Sequence, residues 1–371
     1  MIETTSSRLI WAARFLLASM LGTLLLSKKV WLTERNFPLV PIFDFFPTLP
    51  PPIDFLVYSV VLVLSMYQLV NLSSRKTLYA LFGLFIFLLL GDQMRWQPYN
   101  IQYLLMLVGL IYIPTRSEDV IKVFRLILVT YFIWSGIQEF SVSFVDFYFP
   151  WLVGPFSKIF PAGMEPYVRA GGYLFPIINI LTGIGLLFQK TRNYSVILGI
   201  TIEVFLFYSL SPIANAWNYA ILPFNLAMAG LLFVLFYNTE FPLKSVFWSR
   251  SFYLHPFTLV FFSLLPILSF FGLYDRMQSF NVYSGKSFYA KIYVTEELVN
   301  KLPDGIKRYV YRPAMDEPYI ETTYWISDAV SVDPYSEKRV FEYLKDYVCS
   351  FAEGECQARL VIYTYANSRG S

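Results

Sequence analysis

The stretch YSVILGITIEVFLFYSL, residues 194–210, decides the fold class. As a helix rising about 1.5 Å per residue it is about 26 Å long, near the thickness of a bilayer's hydrocarbon core. A helix that is apolar all round is buried in a large core or in a membrane. One carboxylate, Glu203, interrupts it near the middle.

The rest of the chain has the same character. Of 371 residues, 56% are hydrophobic, 19% aromatic and only 15% charged, and the mean hydropathy is +0.50. A soluble domain carries about 25% charged residues, and one this poor in charge would leave large apolar patches open to water. A conventional soluble enzyme, a disordered chain and a nucleic-acid binder are excluded. The net charge of +3 is too small to imply a polyanionic partner. One histidine (His255) and two cysteines (Cys349, Cys356) leave nothing from which to build a His/Cys metal site, so no metal is expected.

Nine apolar runs read as spans: Ile10–Leu26, Ile53–Leu72, Thr77–Leu90, Ile101–Ile113, Val120–Phe140, Gly172–Phe188, Tyr194–Leu210, Tyr219–Tyr237 and Pro256–Leu273. The third and fourth are short, and GDQMRWQPY (91–99) separates them, as expected of a tilted hairpin with its turn partly inside the membrane. The connections Ser27–Pro52 and Ser141–Gly171, rich in Pro, Phe and Trp, read as interfacial. Lys and Arg in the short loops place the N-terminus in the cytoplasm, and an odd number of spans then places the tail outside.

The expected architecture is an all-α polytopic membrane helical bundle over residues 1–274, with a small α+β extracytoplasmic domain over 275–371. In the tail, SFYAKIYVT (287–295), TTYWIS (322–327) and QARLVIYTYA (357–366) read as strands. Asp333 reads as an N-cap with Pro334 at N1, before Val340, Leu344, Tyr347 and Phe351 at helical spacing. In an exported tail Cys349 and Cys356 form a disulfide; in a cytosolic one they are two thiols.

An ionisable group inside a span costs about 2.5–3.5 kcal/mol on insertion scales, so each needs a reason. Glu203 reads as a proton acceptor or ligand anchor, or as a protonated or paired group that holds helices together. Glu139, with Gln138 before it, closes the fifth span, and Asp92 with Arg95 reads as a local ion pair in the polar turn. Asn179, Asn215 and Asn225 add polar groups at membrane depth, and Gly171, Gly172, Gly183 and Gly185 allow close helix packing.

Three segments in series carry a resemblance: LLLGDQMRWQPYNIQYLL (88–105), YFIWSGIQEFSVSF (131–144) and GGYLFPIINILTGIGLLFQKTR (171–192). Together they resemble the horizontally transferred transmembrane (HTTM) domain family, which includes the vitamin K-dependent γ-glutamyl carboxylases. The resemblance implies a bacterial inner-membrane protein with an exported tail, and a reaction centre that handles a quinone. The family's base is a Lys in the segment matching SGIQEF, which falls here on Glu139. Two family histidines fall on Tyr99 and Glu203. A Glu cannot replace a deprotonating Lys, because the charge is reversed, so γ-carboxylation is not expected.

The leading expectation is an intramembrane pocket for an apolar ligand, a quinone or a lipid, lined by Tyr99, Gln138, Glu139, Glu203, Asp92 and Arg95. Tyr99, Glu139 and Glu203 are the catalytic candidates if the chain is an enzyme with altered chemistry. The other alternative is a non-enzymatic subunit whose alternating tyrosines, such as Tyr289, Tyr293 and Tyr363, meet a membrane-protein partner.

Overall fold

A computed structural model describes residues 2–157, 163–249, 252–314 and 316–364. The membrane portion is built from α1 (Ile2–Leu26), α2 (Ile53–Val70), α3 (Arg75–Leu90), α4 (Pro98–Glu139), α5 (Glu165–Leu187), α6 (Gln189–Leu210), α7 (Leu222–Phe236) and α8 (Leu254–Phe271). A 3-10 turn, Tyr219–Ile221, extends α7 upstream, and α8 passes from α through a wider π segment into tighter 3-10 geometry.

Seven of these helices are long and apolar enough to cross a membrane, where the sequence led us to expect nine. The third run is a helix as expected, α3, but at 16 residues it is only about 24 Å long and is not among the seven. The fourth and fifth runs fall in one of the seven, α4, as two helical arms that meet at a break at Arg116 (φ −146°, ψ 41°) just after Pro114 and pack back on each other, since a Cβ on Gly109 would stand 2.7 Å from the Phe124 ring. Proline lacks the donor and crowds the preceding turn, which accounts for the break at that place.

The GDQMRWQPY segment is a turn between two helices, packed against protein. Asp92 caps a 3-10 turn, Gln93–Arg95, by accepting the Met94 N–H at 3.1 Å, and Pro98 opens α4 at its first turn. Gln93, Met94, Arg95 and Gln97 are buried against protein.

Glycines set the closest approach in the bundle. A Cβ on Gly136 of α4 would stand 2.5 Å from the Pro176 carbonyl oxygen of α5, and one on Gly183 would stand 2.9 Å from the Val129 carbonyl. Only glycine lets these two backbones touch.

The C-terminal portion is a four-stranded antiparallel sheet in the order β2-β3-β1-β4, with β1 Phe288–Tyr293, β2 Val310–Tyr311, β3 Tyr319–Glu321 and β4 Arg359–Thr364. Ile292 pairs with Ile320 and Leu360, and Ala290 with Ile362. Ala290 and Ile292 are buried on one face. On the other, Tyr289 stacks on Tyr363 at 5.1 Å and Lys291 lies over Tyr319. Residues 365–366 of the expected last strand lie outside the described residues.

Three helices, α9 (Glu296–Lys301), α10 (Thr322–Val330) and α11 (Lys338–Cys349), and a single helical turn, Asp304–Lys307, accompany the sheet. TTYWIS is therefore helix, not strand. Glu321 caps it by accepting the Tyr324 N–H at 2.8 Å, and Trp325, Ile326, Ala329 and Val330 recur on one buried face. That period emerges only over nine residues, longer than the six first read as a strand. The cap expected at Asp333 is also displaced: α11 starts four residues later, with Glu337 at its N-cap. Cys349 and Cys356 form a disulfide, which ties the end of α11 to the approach to β4.

One apolar core runs from the bundle into the C-terminal portion. Trp325 packs edge-on to Phe37 at 5.2 Å and donates its indole N–H to the Asn36 carbonyl. Arg339 donates to Gln93 Oε1 at 2.7 Å, and Gln97 donates to the Asp333 carbonyl at 2.8 Å. The polar turn and the Ser27–Pro52 connection are thus the seat of the tail.

Candidate functional site

Two chambers lie where the bundle meets the tail. The inner one, of about 50 Å³, is lined by Tyr99 and Gln102 from the first turns of α4, Tyr131 and Glu139 from its last turns, Asn179 of α5 and Asn225 of α7. The two arms of α4 reach one chamber from both ends because the chain folds back at the break at Arg116. Tyr99 and Gln102 are three residues apart, so they share a face.

The polar groups there are poorly satisfied. The Tyr99 hydroxyl, both amide atoms of Gln102 and both of Asn225 are buried with no hydrogen-bond partner among the described residues. Each such group costs about 1–3 kcal/mol when left unpaired. Glu139, 9% exposed, accepts from Asn179 Nδ2 at 2.8 Å through Oε2. Phe224 packs between the Tyr99, Tyr103 and Tyr131 rings, at 5.8–6.1 Å from each, and gives the chamber an apolar wall.

Glu203 stands behind Tyr131, fully buried, and both of its carboxylate oxygens lack a hydrogen-bond partner among the described residues. Its electrostatic neighbours are the Tyr131 hydroxyl and the Glu139 carboxylate. The cation facing Glu139 comes from the tail: Lys286, whose ammonium burial pushes down to about 8, helped by Arg276 and opposed by Glu139.

The outer chamber is larger, about 680 Å³, within the range of small-molecule sites. Tyr148, Trp151, Trp217, Tyr283 and Phe288 are among its walls, and Asp333 lies at its base. Val282 and Tyr283 line both chambers and form the partition between them. Asp333 accepts from Trp217 Nε1 at 2.8 Å and from Asn218 Nδ2 at 2.5 Å. Burial raises its carboxyl above the usual range, opposed by the Trp217, Tyr283 and Asn218 donors.

Of the residues expected to line one pocket, the structure brings Tyr99 and Glu139 together and sets Glu203 one side chain behind them. Gln138 turns away from the chamber and donates to Ser269 Oγ at 3.1 Å on α8. Asp92 and Arg95 line neither chamber. Asp92 pairs with Arg35 at 2.7 Å and more distantly with Arg95 at 3.8 Å, while Arg95 donates to the Val30, Trp31 and Leu88 carbonyls. They fasten the polar turn to the Ser27–Pro52 connection.

Sequence reasoning missed Gln102, Lys286, Tyr283 and Asp333 as site residues. The three-residue spacing from Tyr99 was a signal for Gln102. Nothing local marks Asp333, whose partners Trp217 and Asn218 are more than a hundred residues away. No group of His, Cys, Asp and Glu that would hold a metal occurs among the described residues. No family model matches the chain, and neither a curated protein nor a solved structure matches it.

Proposed function

We propose that this integral membrane protein holds an apolar ligand with a hydrogen-bonding head, a quinone or a lipid, in the paired chambers. The observation that carries the reading is the set of polar atoms on Tyr99, Gln102 and Asn225 that have no partner among the described residues, around one enclosed space. Buried polar groups are normally paired, so unpaired ones facing a cavity imply a partner that enters it. The inner chamber has room for a small polar group, and the outer chamber for the body that carries it. The resemblance of residues 88–192 to the HTTM family supports the same reading, with the parent carboxylation lost at Glu139.

The matching orientation is a cytoplasmic N-terminus and an extracytoplasmic tail in a bacterial cytoplasmic membrane, supported by the Lys/Arg bias and by the disulfide, which persists in oxidising compartments. Mass spectrometry of the full chain purified in mild detergent tests the ligand. A bound quinone or lipid is expected, with retention reduced about tenfold or more in Gln102→Leu or Asn225→Leu, each of which removes polar groups facing the chamber. Absence of any co-purifying quinone or lipid, together with unchanged retention in both variants, overturns the reading.

A further inference from the structure

We propose that the outer chamber is a receptor for a primary ammonium group, the head of an amine-bearing phospholipid, with Asp333 as its counter-charge. The inference rests on the reading that these chambers hold a membrane ligand, and it names the class.

The first argument is charge. Two carboxylates, Asp333 and Glu321, line the chamber, and its described lining residues include no Lys, Arg or His. Asp333 is 8% exposed, and its partners Trp217, Asn218 and Tyr283 are neutral donors. No cation among the described residues lies within ion-pair distance of it. A carboxylate buried without a cation carries a desolvation cost that an incoming cation offsets. An anionic head would be repelled, and a neutral quinone would leave that cost in place.

The second argument is the walls. Trp151 and Trp217 stand perpendicular, 6.3 Å apart, and Tyr283 lies 6.0 Å from Trp151. Aromatic faces around a carboxylate make a cage for an organic cation, because the ring quadrupole presents negative charge to it.

The third argument separates primary from quaternary ammonium. Asn281, 2% exposed, also lines the chamber, and its side-chain oxygen has no hydrogen-bond partner among the described residues. A free acceptor suits an N–H, which a trimethylammonium lacks. The chamber sits at the ends of membrane helices among Trp and Tyr, the level at which lipid heads lie.

The test is lipid binding to the full-length protein by native mass spectrometry. The probes are dioleoyl-phosphatidylethanolamine, -phosphatidylcholine and -phosphatidylglycerol, a short-chain ubiquinone and free ethanolamine. Phosphatidylethanolamine is expected to bind about tenfold or more tightly than phosphatidylglycerol or phosphatidylcholine. That preference is expected to vanish in Asp333→Asn and to narrow in Asn281→Leu, which leaves the carboxylate in place should the first variant fold poorly. Equal binding of phosphatidylethanolamine and phosphatidylglycerol, or a preference retained in both variants, overturns the proposal. Equal binding of phosphatidylcholine overturns the primary-ammonium assignment, and displacement by equimolar free ethanolamine overturns the lipid source. Ubiquinone binding without phosphatidylethanolamine binding sinks this inference and leaves the ligand-chamber reading standing; binding of no probe sinks both.

Discussion

Asn179 on α5 donates through Nδ2 to Glu139 Oε2 on α4 at 2.8 Å, next to the place where a Cβ on Gly136 would strike the α5 backbone. Gly136 and Glu139 are three residues apart and share a helix face. The glycine permits the approach that lets the amide reach the carboxylate. One point of helix contact therefore both packs the bundle and orients a chamber-lining acid.

Asn179→Leu removes the donor and leaves a buried acid without its hydrogen bond. A loss of about 1–3 kcal/mol is expected, read as a lower melting temperature in detergent. Glu139→Gln keeps an acceptor for Asn179 and is expected to melt closer to the parent. The reverse order would mean that this hydrogen bond does not hold the helices.

Gly136→Val is expected to destabilise more than Gly83→Val. The added carbon meets the Pro176 carbonyl at 2.5 Å in the first case, while nothing lies within 4 Å of a Cβ on Gly83. Overpacking costs about 1–3 kcal/mol, and a fixed backbone carbonyl cannot move aside as a side chain would. Melting curves of the two variants under one detergent condition check it.

Arg35 and Asp92 form an ion pair with 2% and 0% of their side chains exposed. Arg35→Met would leave Asp92 with the more distant Arg95 guanidinium as its cation. Removing one partner of a buried pair typically costs about 3–5 kcal/mol. The seat of the tail depends on this pair, so limited proteolysis should release the C-terminal portion of the variant faster than that of the parent.

Asp275 is expected to make the junction sensitive to acid. Burial alone would raise its carboxyl, but the hydrogen bonds from Arg339 and Tyr335 outweigh burial and hold it below the ordinary value. A carboxyl depressed in the folded state contributes stability that is fully present above its unfolded pKa, about 3.9, and is lost as pH falls through the folded value. Stability of the tail's attachment is expected to fall below about pH 4, and Asp275→Asn to flatten that fall. An identical acid limb in the variant would assign the effect to other groups.

The disulfide gives a test of orientation. The Cys349–Cys356 bridge closes a loop with a sequence separation of 7. In the chain-entropy model closure of so short a loop is worth about 2–3 kcal/mol. Replacing both cysteines with serine should lower the melting temperature accordingly. Cys349→Ser frees the Cys356 thiol, which is partly buried, and a membrane-impermeant maleimide added to intact cells should label it. Labelling only after lysis would place the tail in the cytoplasm.

The sequence by itself determined the class of this protein, because composition and apolar run length follow from solvent physics that no tertiary contact can reverse. Glu203 inside an apolar run, Glu139 at the end of another and the cysteine pair were legible for the same reason. The tertiary structure alone decided how neighbouring runs connect: the two helical arms of residues 98–139 meet without a loop, at a break at Arg116. Short segments were also undecidable, since six residues of TTYWIS fit either period until Glu321 capped them as a helix. Above all, the site is long-range. Tyr99, Glu139, Asn179 and Asn225 meet in space from three helices, and Asp333 meets Trp217 across 116 positions of sequence. Local propensity carries no information about such meetings; they depend on which faces the packed glycines and buried ion pairs bring together.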